Sequence, residues 1–543
     1  MYKKITTDVL VAGAGLAGIT AALQAALEGA RVCLVSRGRI CAGSSFYPGT
    51  WGLGLIGPES PEDESDLEET ILSVGEKMAD PAMVHTLVSG IADGIEFLEQ
   101  LGVTLKKAAN KNEKEFIPCF DHKTRAWNGL EKAGAEGIFK EKLAQLQVMT
   151  LEKTVLLELL QKEKAVCGAL VKRDGEVFEI HSKAVILATG GMGGLFQYNL
   201  NTADVRGTGQ YLALKAGAGL VNLEFIQMMP GYLKPAPKTI YNEKVFKYSI
   251  FQTPEKILFE DWNREEKEKC MEIRSTHGPF TTRLPSAAID KEIFGQFLEN
   301  PEGVKLTYKE SLRKNQPEFV KTYFQWLESE KHLTIEDPVW LGIFAHASNG
   351  GIRIDTDAKT GVPGLYACGE ASGMMHGADR MGGLSTANCL VFGRIAGRSA
   401  AAYSKEIKQS LSDSCAIPDF YLVPKAGDYL EEIKKLNFRS AMILRNQENS
   451  EKALKRLEEI QEEIRREERM ADCEEISVQQ AAENMDLRAA LLVSQVLHKA
   501  ILQRKESRGP HFRTDYPEKN PAFDQIRQCV LKNETLESEL FPV

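Results

Sequence analysis

Thr7 to Ser36 reads TDVLVAGAGLAGITAALQAALEGARVCLVS, and this stretch decides the fold. It consists of an apolar strand, a glycine-rich turn, an alanine-rich helix over Ile19 to Glu28 and a second strand over Ala30 to Val35. The turn, GAGLAG, has the Gly-x-Gly-x-x-Gly spacing of turns that bind the pyrophosphate of a dinucleotide. The pattern predicts a Rossmann-like α/β domain with a dinucleotide site. The simpler alternative is an ordinary glycine-rich loop.

The three glycines of this turn have separate expected roles. Gly13 permits the tight turn, Gly15 lets the backbone approach a pyrophosphate, and Gly18 lets the helix pack closely on the strand. The second strand ends in Ser36 and Arg37, where an acidic residue commonly binds the ribose hydroxyls. We expect the Ser36 hydroxyl to bind there instead, and Arg37 to lie against phosphate or adenine.

Two later glycine-rich segments are expected to contact the same ligand. Residues 184–191 read AVILATGG, which is typical of a buried strand that runs into a turn. Residues 346–397 contain a short strand, GLYACGEA, and a helix from Ala387. Because a buried strand leads into a turn in both segments, as it does near the N-terminus, one cofactor domain is predicted to form from distant parts of the chain.

Composition limits the class of protein. The chain has 543 residues, 43% of them hydrophobic and 26% charged, with a net charge of −9, so nucleic acid is not an expected partner. No apolar run is long enough for a transmembrane segment, and the apolar N-terminus is the first strand and not a signal peptide. The ten cysteines form no CxxC pair, which argues against a metal site and favours reduced thiols in the cytoplasm.

The order of these motifs carries a family resemblance. GAGLAG, ILATGG, GLYACGE and HGADRMGG, followed by ESRG at 506–509 and DYP at 515–517, resemble the flavoprotein family of fumarate reductase, L-aspartate oxidase and the succinate dehydrogenase flavoprotein. The similarity covers nearly the whole chain. It implies FAD as cofactor and an α/β fold: a Rossmann-like FAD-binding domain with an inserted α+β capping domain and a C-terminal helical domain.

The resemblance also implies domain boundaries. The FAD-binding domain is expected at 1–225 and 340–402, the capping (substrate) domain at 226–339 and the helical domain at 403–543. The substrate site would then be an interdomain cleft. Apolar periodicity over 448–469 and 481–503 predicts two helices, whose charged faces are either solvated or bind a partner.

The family pattern assigns cofactor-binding residues. Backbone amides of Ala14, Gly15, Leu16 and Ala17 would bind the pyrophosphate, Glu370 the ribityl or ribose hydroxyls, and Ser385 and Thr386 would face the isoalloxazine ring. The remaining expected cofactor residues are Gly13, Gly18, Ser36, Arg37, Ser44, Ser45, Thr189, Gly190 and Thr208. No histidine occurs over 1–84, where the respiratory enzymes attach flavin, so FAD is expected to be bound non-covalently.

Three residues match the family's catalytic pattern. His346 begins HASNGG and matches the substrate histidine, Arg380 matches the carboxylate-binding arginine, and Arg283 matches the arginine that donates or accepts a proton. The alternatives are a histidine that satisfies a turn, an arginine that bridges a loop to the core, and a surface arginine. The aspartate that follows the arginine in the family is Leu284 here. Candidates for resupplying the proton are Tyr211, Glu224, His277 and His376.

One motif departs from the family. Where relatives read EFxQFHPT, this chain reads EFIQMMPG, so Met229 replaces the substrate histidine and Gly231 the threonine. Two hydrogen-bonding groups for the distal carboxylate of a four-carbon diacid are therefore absent from the motif. Met228, Met229 and Trp51 favour a more apolar pocket, and methionines that fill a core are the alternative.

The expected activity follows from the resemblance. It is an FAD-dependent oxidoreductase that transfers a hydride between flavin and a carbon–carbon or carbon–nitrogen bond adjacent to a carboxylate. The alternatives are L-aspartate oxidase or succinate dehydrogenase/fumarate reductase proper, and an electron-transfer flavoprotein subunit of a larger redox complex. The partners would be a small-molecule carboxylate and a separate electron-transfer protein or oxygen, because the sequence has no haem motif, iron–sulfur motif or second nucleotide fingerprint.

Overall fold

The structure is a computed structural model that describes residues 3–50, 52–107, 125–407, 421–470 and 476–542. Trp51, expected beside the pocket, lies outside the described residues. Within these ranges the α-helices, α1 to α14 in chain order, are Leu16–Leu27, Pro61–Val74, Pro81–Ser89, Ile91–Leu101, Lys132–Gln145, Thr208–Ala216, Arg264–Arg274, Ala287–Glu299, Glu310–Lys314, Glu318–Lys331, Leu384–Glu406, Ala426–Ser440, Gln447–Glu467 and Val478–Gln503.

The strands of the same ranges, β1 to β22 in chain order, are Lys3–Thr6, Val9–Ala12, Val32–Val35, Leu53–Gly57, Leu105–Lys107, Ala126–Leu130, Met149–Leu151, Val155–Lys162, Ala165–Arg173, Glu176–His181, Ala184–Leu187, Leu220–Val221, Ile226–Lys234, Ser249–Gln252, Val304–Tyr308, Val339–Ser348, Gly351–Ile352, Leu365–Ala367, Tyr421–Leu422, Arg469–Met470, Gln525–Lys532 and Thr535–Pro542.

A five-stranded parallel sheet in the order β18-β11-β2-β3-β7 forms the centre of the molecule. Strands β2, β3, β11 and β18 are buried along their whole length, which explains their continuous apolar sequences. The three glycine-rich segments therefore follow strands of one sheet. Because parallel strands end at the same edge, their turns meet there, as the sequence predicts.

Two glycines of the first turn are needed for packing. At Gly13, which has φ +111°, a Cβ atom would lie 2.1 Å from the carbonyl oxygen of Ala188. At Gly18 a Cβ would lie 1.8 Å from the carbonyl oxygen of Gly13, so any side chain would push α1 off the turn. Helix α1 begins at Leu16, three residues earlier than the apolar pattern predicts, because the last residues of the fingerprint are already helical.

A second sheet, antiparallel and in the order β13-β16-β15-β14, lies in the inserted region with α7 to α10. Strand β16 starts at Val339, next to the boundary expected at 339/340, and continues to Ser348. The same strand thus pairs with β13 in the capping sheet and carries His346 near its C-terminal end. One continuous strand links the capping sheet to the cofactor region.

The C-terminal region contains the two expected helices and a hairpin. Helices α13 and α14 correspond to the periodic segments at 448–469 and 481–503, and α12 packs against both. Strands β21 and β22 form a hairpin, and β21 pairs with β12 of the N-terminal part of the chain. Among the described helices, none combines the length and apolarity that crossing a membrane requires.

Candidate active site

The carboxyl edge of the parallel sheet opens into a cavity of ≈ 360 Å³, and residues of the inserted region, among them Met229, Glu243 and Pro279, line its other side. The predicted site residues that line it are Gly13, Ala14, Gly15, Leu16, Ala17, Ser36, Arg37, Ser44, Ser45, Thr189, Gly190, Thr208, His346, Glu370, Arg380, Ser385 and Thr386. Gly18 packs behind the turn, and the predicted catalytic residue Arg283 is not among the described residues that line the cavity. One cavity therefore collects residues separated by more than 300 positions in the chain.

Three helices point their N-termini at this cavity. They begin at Leu16, Thr208 and Leu384, and in each a glycine takes the N-cap position without a side-chain capping bond. The hydroxyl of Ser45 accepts a hydrogen bond from the backbone amide of Leu16 at 3.3 Å. Unbonded amides at the first turn of a helix bind phosphate and other electron-rich groups. This arrangement suits a dinucleotide that carries a pyrophosphate and a ring able to hold negative charge.

Several buried polar atoms on the cavity wall have no partner among the described residues. They include the hydroxyls of Thr189 and Thr386 and the Nδ1 atom of His346. Glu370 uses one carboxylate oxygen to accept a hydrogen bond from the backbone amide of Ser348 at 3.0 Å. Burial raises the pKa of Glu370, against the opposing effects of that bond and of Arg380. Because buried polar groups are normally hydrogen-bonded, these atoms fit a polar ligand such as FAD.

The end of β3 differs from its expected role. Arg37, which we expected against phosphate or adenine, forms a two-pronged ion pair with Asp486 of α14, with its Nη2 atom 2.8 Å from Oδ2. The hydroxyl of Ser36 donates to the carbonyl oxygen of Arg39 at 3.1 Å. Both residues border the cavity, but their polar groups bind other parts of the protein. Their contacts with a cofactor stay predictions.

His346 and Arg380 face the same cavity. Burial, and secondarily the charge of Arg380, lowers the pKa of His346 to about 3, so its imidazole is neutral at physiological pH. The backbone carbonyl of Arg380 accepts a hydrogen bond from Gln227 Nε2 at 3.0 Å, which links the arginine loop to β13. Arg380 also lowers the pKa of His376, after the larger effect of burial. The site thus places a cation beside two neutral imidazoles.

Arg283 contacts an aspartate to which no role was assigned from the sequence. Its Nη1 atom lies 3.9 Å from Oδ2 of Asp379, the residue directly before Arg380. The same Oδ2 accepts a hydrogen bond from the Thr281 hydroxyl at 2.6 Å. Burial raises the pKa of Asp379 to about 7, although Thr281 and Arg283 favour its ionised form. A carboxyl group whose pKa lies near neutral pH therefore contacts Arg283 and directly precedes Arg380 in the chain.

The predicted proton carriers are dispersed. His376 lines the cavity. Glu224 is buried in an ion pair with Arg504 at 2.6 Å, and His277 bonds to the hydroxyl of Ser286 at 2.9 Å. The capping region instead brings Glu243 to the cavity, where burial raises the pKa of its carboxyl. Neither periodicity nor a motif marks Glu243 in the sequence; its position depends on the tertiary fold.

The two neighbouring methionines separate into two roles. Met228 is fully buried in the main core, whereas Met229 lines the cavity. Met229 belongs to an apolar cluster with Tyr47, Leu200, Ile240 and Phe344. Met228 therefore fills the core, and Met229 adds apolar surface to the cavity.

The parallel sheet and the three glycine-capped helices around one cavity are those of a dinucleotide-binding protein, and residues of the inserted region line the same cavity. Comparison with known families agrees: residues 8–243 and 310–386 match the model described as FAD binding domain, and residues 430–536 match fumarate reductase flavoprotein C-term. The chain belongs to the family of FAD-dependent oxidoreductases that contains fumarate reductase and succinate dehydrogenase flavoproteins and L-aspartate oxidases. This confirms the predicted family, fold class and cofactor.

Individual relatives are distant. The chain is 27% identical, over 98% of both chains, to a protein of Methanothermobacter marburgensis that is one component of its fumarate reductase (CoM/CoB). It is also 27% identical to L-aspartate oxidase of Streptomyces coelicolor, covering 95% of this chain and 90% of that one. E. coli quinol fumarate reductase has the same fold, with a TM-score of 0.78 at 20% identity over 100% of this chain and 97% of that chain. Because the chain is equally similar to the fumarate reductase component and to the L-aspartate oxidase, these identities do not distinguish between the two reactions.

Proposed function

We propose that the protein transfers a hydride between FAD and a carbon–carbon or carbon–nitrogen bond adjacent to the carboxylate of a small-molecule substrate. The strongest support is that Arg380 and His346 line the same cavity as the glycine-rich turns that follow β2, β11 and β18. FAD, when bound, supplies the hydride acceptor or donor. The protein must bind FAD, fix the carboxylate and move one proton.

We assign FAD binding to the residues around the helix N-termini. Backbone amides of the Ala14–Ala17 turn would bind the pyrophosphate, and the carboxylate of Glu370 would accept hydrogen bonds from the ribose or ribityl hydroxyls. The unpartnered hydroxyl of Thr386 and the neighbouring Ser385, at the start of α11, would face the ring, where the helix dipole stabilises negative charge. No covalent bond to the protein is needed.

The substrate carboxylate would be bound by one charged and one neutral group. The planar guanidinium of Arg380 can bind both carboxylate oxygens and so fixes charge and direction. The neutral imidazole of His346 can donate one further hydrogen bond without adding a second buried cation. Together they would hold the carbon next to the carboxylate in a fixed position beside the ring.

Proton transfer would use Arg283 and Asp379. When a double bond is reduced, one carbon receives the hydride and its neighbour receives a proton, and oxidation removes both. A guanidinium with a pKa above about 12 can donate a proton in turnover only if another group returns it. Asp379 lies 3.9 Å from Arg283 and titrates near neutral pH, so it is suited to that exchange. Asp379 would provide the carboxylate that the family has directly after the arginine, where this chain has Leu284.

Electrons would come from, or pass to, a separate protein, a diffusible carrier or oxygen. A second candidate function is that of a flavoprotein component of a larger redox complex, since one relative that matches over 98% of both chains is named as part of such an enzyme. The free thiols of six described cysteines support the proposed cytoplasmic location; they are Cys33, Cys41, Cys270, Cys368, Cys389 and Cys529.

Titration of the oxidised, FAD-loaded protein with saturated acids tests the carboxylate clamp through the flavin absorbance. Arg380→Lys should weaken acid binding roughly 10- to 100-fold, because a charge-assisted hydrogen bond contributes about 1.5–3 kcal/mol. Arg398→Lys, on the exposed side of α11, is the matched control and should bind acids normally. Equal affinities for both variants would contradict the assigned role of Arg380.

A further inference from the structure

We infer that the substrate is a monocarboxylate with an apolar chain or ring on the side away from its carboxylate, seated against Tyr47, Leu200, Met229 and Ile240. The inference rests on the proposed function, because Arg380 and His346 fix the single carboxylate. It adds the chemical character of the part of the substrate that lies away from the carboxylate.

Strand β13 supplies the first argument. Gln227 and Met229 of this strand line the cavity. A Cβ atom at Gly231 would lie 2.9 Å from Leu200 Cδ2 and 3.0 Å from Phe344 Cδ2, so apolar atoms already fill the space that a side chain there would need. A hydroxyl-bearing residue at position 231 would require both neighbours to move. Apolar side chains thus occupy the place where the family motif has a hydrogen-bonding side chain, so that place is filled and not vacant.

The only polar atom of the cluster side chains, apart from the methionine sulfur, belongs to Tyr47, and it is already bonded. Its hydroxyl donates to the carbonyl oxygen of Lys238 at 2.5 Å. Tyr47 therefore presents its ring to the cavity, beside the aliphatic side chains of Leu200 and Ile240. All four cavity-lining members of the cluster are nearly buried, which leaves a surface suited to apolar groups.

A second carboxylate would have no cation to bind. Among the described residues that line the cavity, the permanently charged cations are Arg37 and Arg380. Arg37 is paired with Asp486, and the proposed function assigns Arg380 to the substrate's first carboxylate. A buried carboxylate without a partner is strongly disfavoured.

The amides near the cluster offer an anion no free donor group. Asn201 Nδ2 donates to the carbonyl oxygen of His346 at 2.8 Å, and Gln227 Nε2 donates to that of Arg380. Their side-chain oxygens have no partner in the described part of the chain, but an oxygen acceptor repels a carboxylate. Burial also favours the neutral form of Glu243, and ionisation of that group would repel an anion further.

The test is a chain-length series on the FAD-loaded protein, reduced with dithionite under nitrogen. But-2-enoate, hex-2-enoate and 3-phenylprop-2-enoate are compared with but-2-enedioate, and the saturated acids are offered to the oxidised protein with an artificial electron acceptor. We expect kcat/KM to rise about fourfold for each methylene that is buried. The diacid should be the poorest substrate of the series.

Two variants of neighbouring residues sharpen the test. Met229→His should reduce the preference for long over short acids at least tenfold and raise turnover of the diacid, whereas Met228→Leu, in the core behind the strand, should change neither. A diacid preferred by the unmodified protein would overturn this inference and leave the proposed function standing. If no acid of either kind reacts in either direction, and no 2-amino acid is oxidised by the protein, both are overturned. The series on the unmodified protein decides the matter even if Met229→His fails to fold.

Discussion

At the scale of single residues, Asp379 gives the site a pH dependence. Its pKa is raised to about 7 by burial, with Arg283 and Thr281 opposing the shift and Glu76 adding to it. Reduction of a double bond consumes a proton, so the protonated carboxyl is the form that can resupply Arg283. We expect kcat for reduction to be high below pH 7 and to fall as pH rises through 7.

Asp379→Asn should lower kcat by about 100-fold, within the usual range for general acid–base groups, and should remove the inflection near pH 7. Stopped-flow reoxidation of the reduced flavin across pH 5.5–8.5, a range of about one and a half units on either side of the pKa, measures both effects. KM should change little, because Arg380 and His346 bind the carboxylate. An unchanged inflection in the variant would assign the titration to another group.

The individual motifs were predictable from the sequence, but the contacts between them were not. Residues 13–17 of the fingerprint turn, Glu370, His346 and Arg380 line one cavity, and their roles there stay predictions. Asp379 received no role because its contact with Arg283 joins segments that are distant in the chain. The ion pair of Arg37 with Asp486 spans 449 positions and could not be anticipated from local pattern.

At the scale of elements, variants of the turn before α1 can distinguish an effect on folding stability from an effect on FAD affinity. Gly15 has φ −76°, and a Cβ atom there would lie 3.5 Å from the carbonyl oxygen of Ala42, an ordinary contact. Gly15→Ala should therefore leave the free energy of unfolding of the FAD-free protein unchanged or raise it by up to about 1 kcal/mol. The added methyl would occupy the space that the pyrophosphate approaches, so FAD affinity should fall at least about tenfold.

Gly13→Ala is the contrasting variant, because its Cβ would collide with the Ala188 carbonyl and φ +111° disfavours alanine. It should lower both stability and FAD affinity. Urea unfolding of the FAD-free proteins and fluorescence titration with FAD measure the two quantities. Normal FAD affinity in Gly15→Ala would place the pyrophosphate away from this turn.

Helices and strands were predictable to different degrees. The apolar periodicity of α13 and α14 marks both helices to within a few residues, since one face of each is buried. The β21–β22 hairpin was not predicted, although its two strands are neighbours in the chain. Only Ile526, Gln528 and Cys529 of β21 are buried, so the apolar alternation that marks a strand is weak there.

At the scale of the whole molecule, the C-terminal segment bonds to two segments that are far apart in the chain. The backbone amide of Gly509 donates to Glu76 Oε2 at 2.8 Å, and the Gly509 carbonyl accepts from the amide of Thr282 at 2.8 Å. The loop that carries Arg283 is thereby held to residues from both ends of the chain. The ESRG motif thus has a structural role beside the site, which its resemblance to the family did not explain.

The central claim is that the bound flavin exchanges a hydride with an acid held by Arg380 and His346. The most direct measurement is a single turnover: the FAD-loaded protein is bleached with one equivalent of dithionite under nitrogen and mixed with an unsaturated or imino acid. The account predicts that the yellow colour returns and that one saturated acid forms per flavin, at a rate that Arg380→Lys lowers sharply. Flavin that stays bleached with every acid, yet reoxidises normally in air, would contradict it.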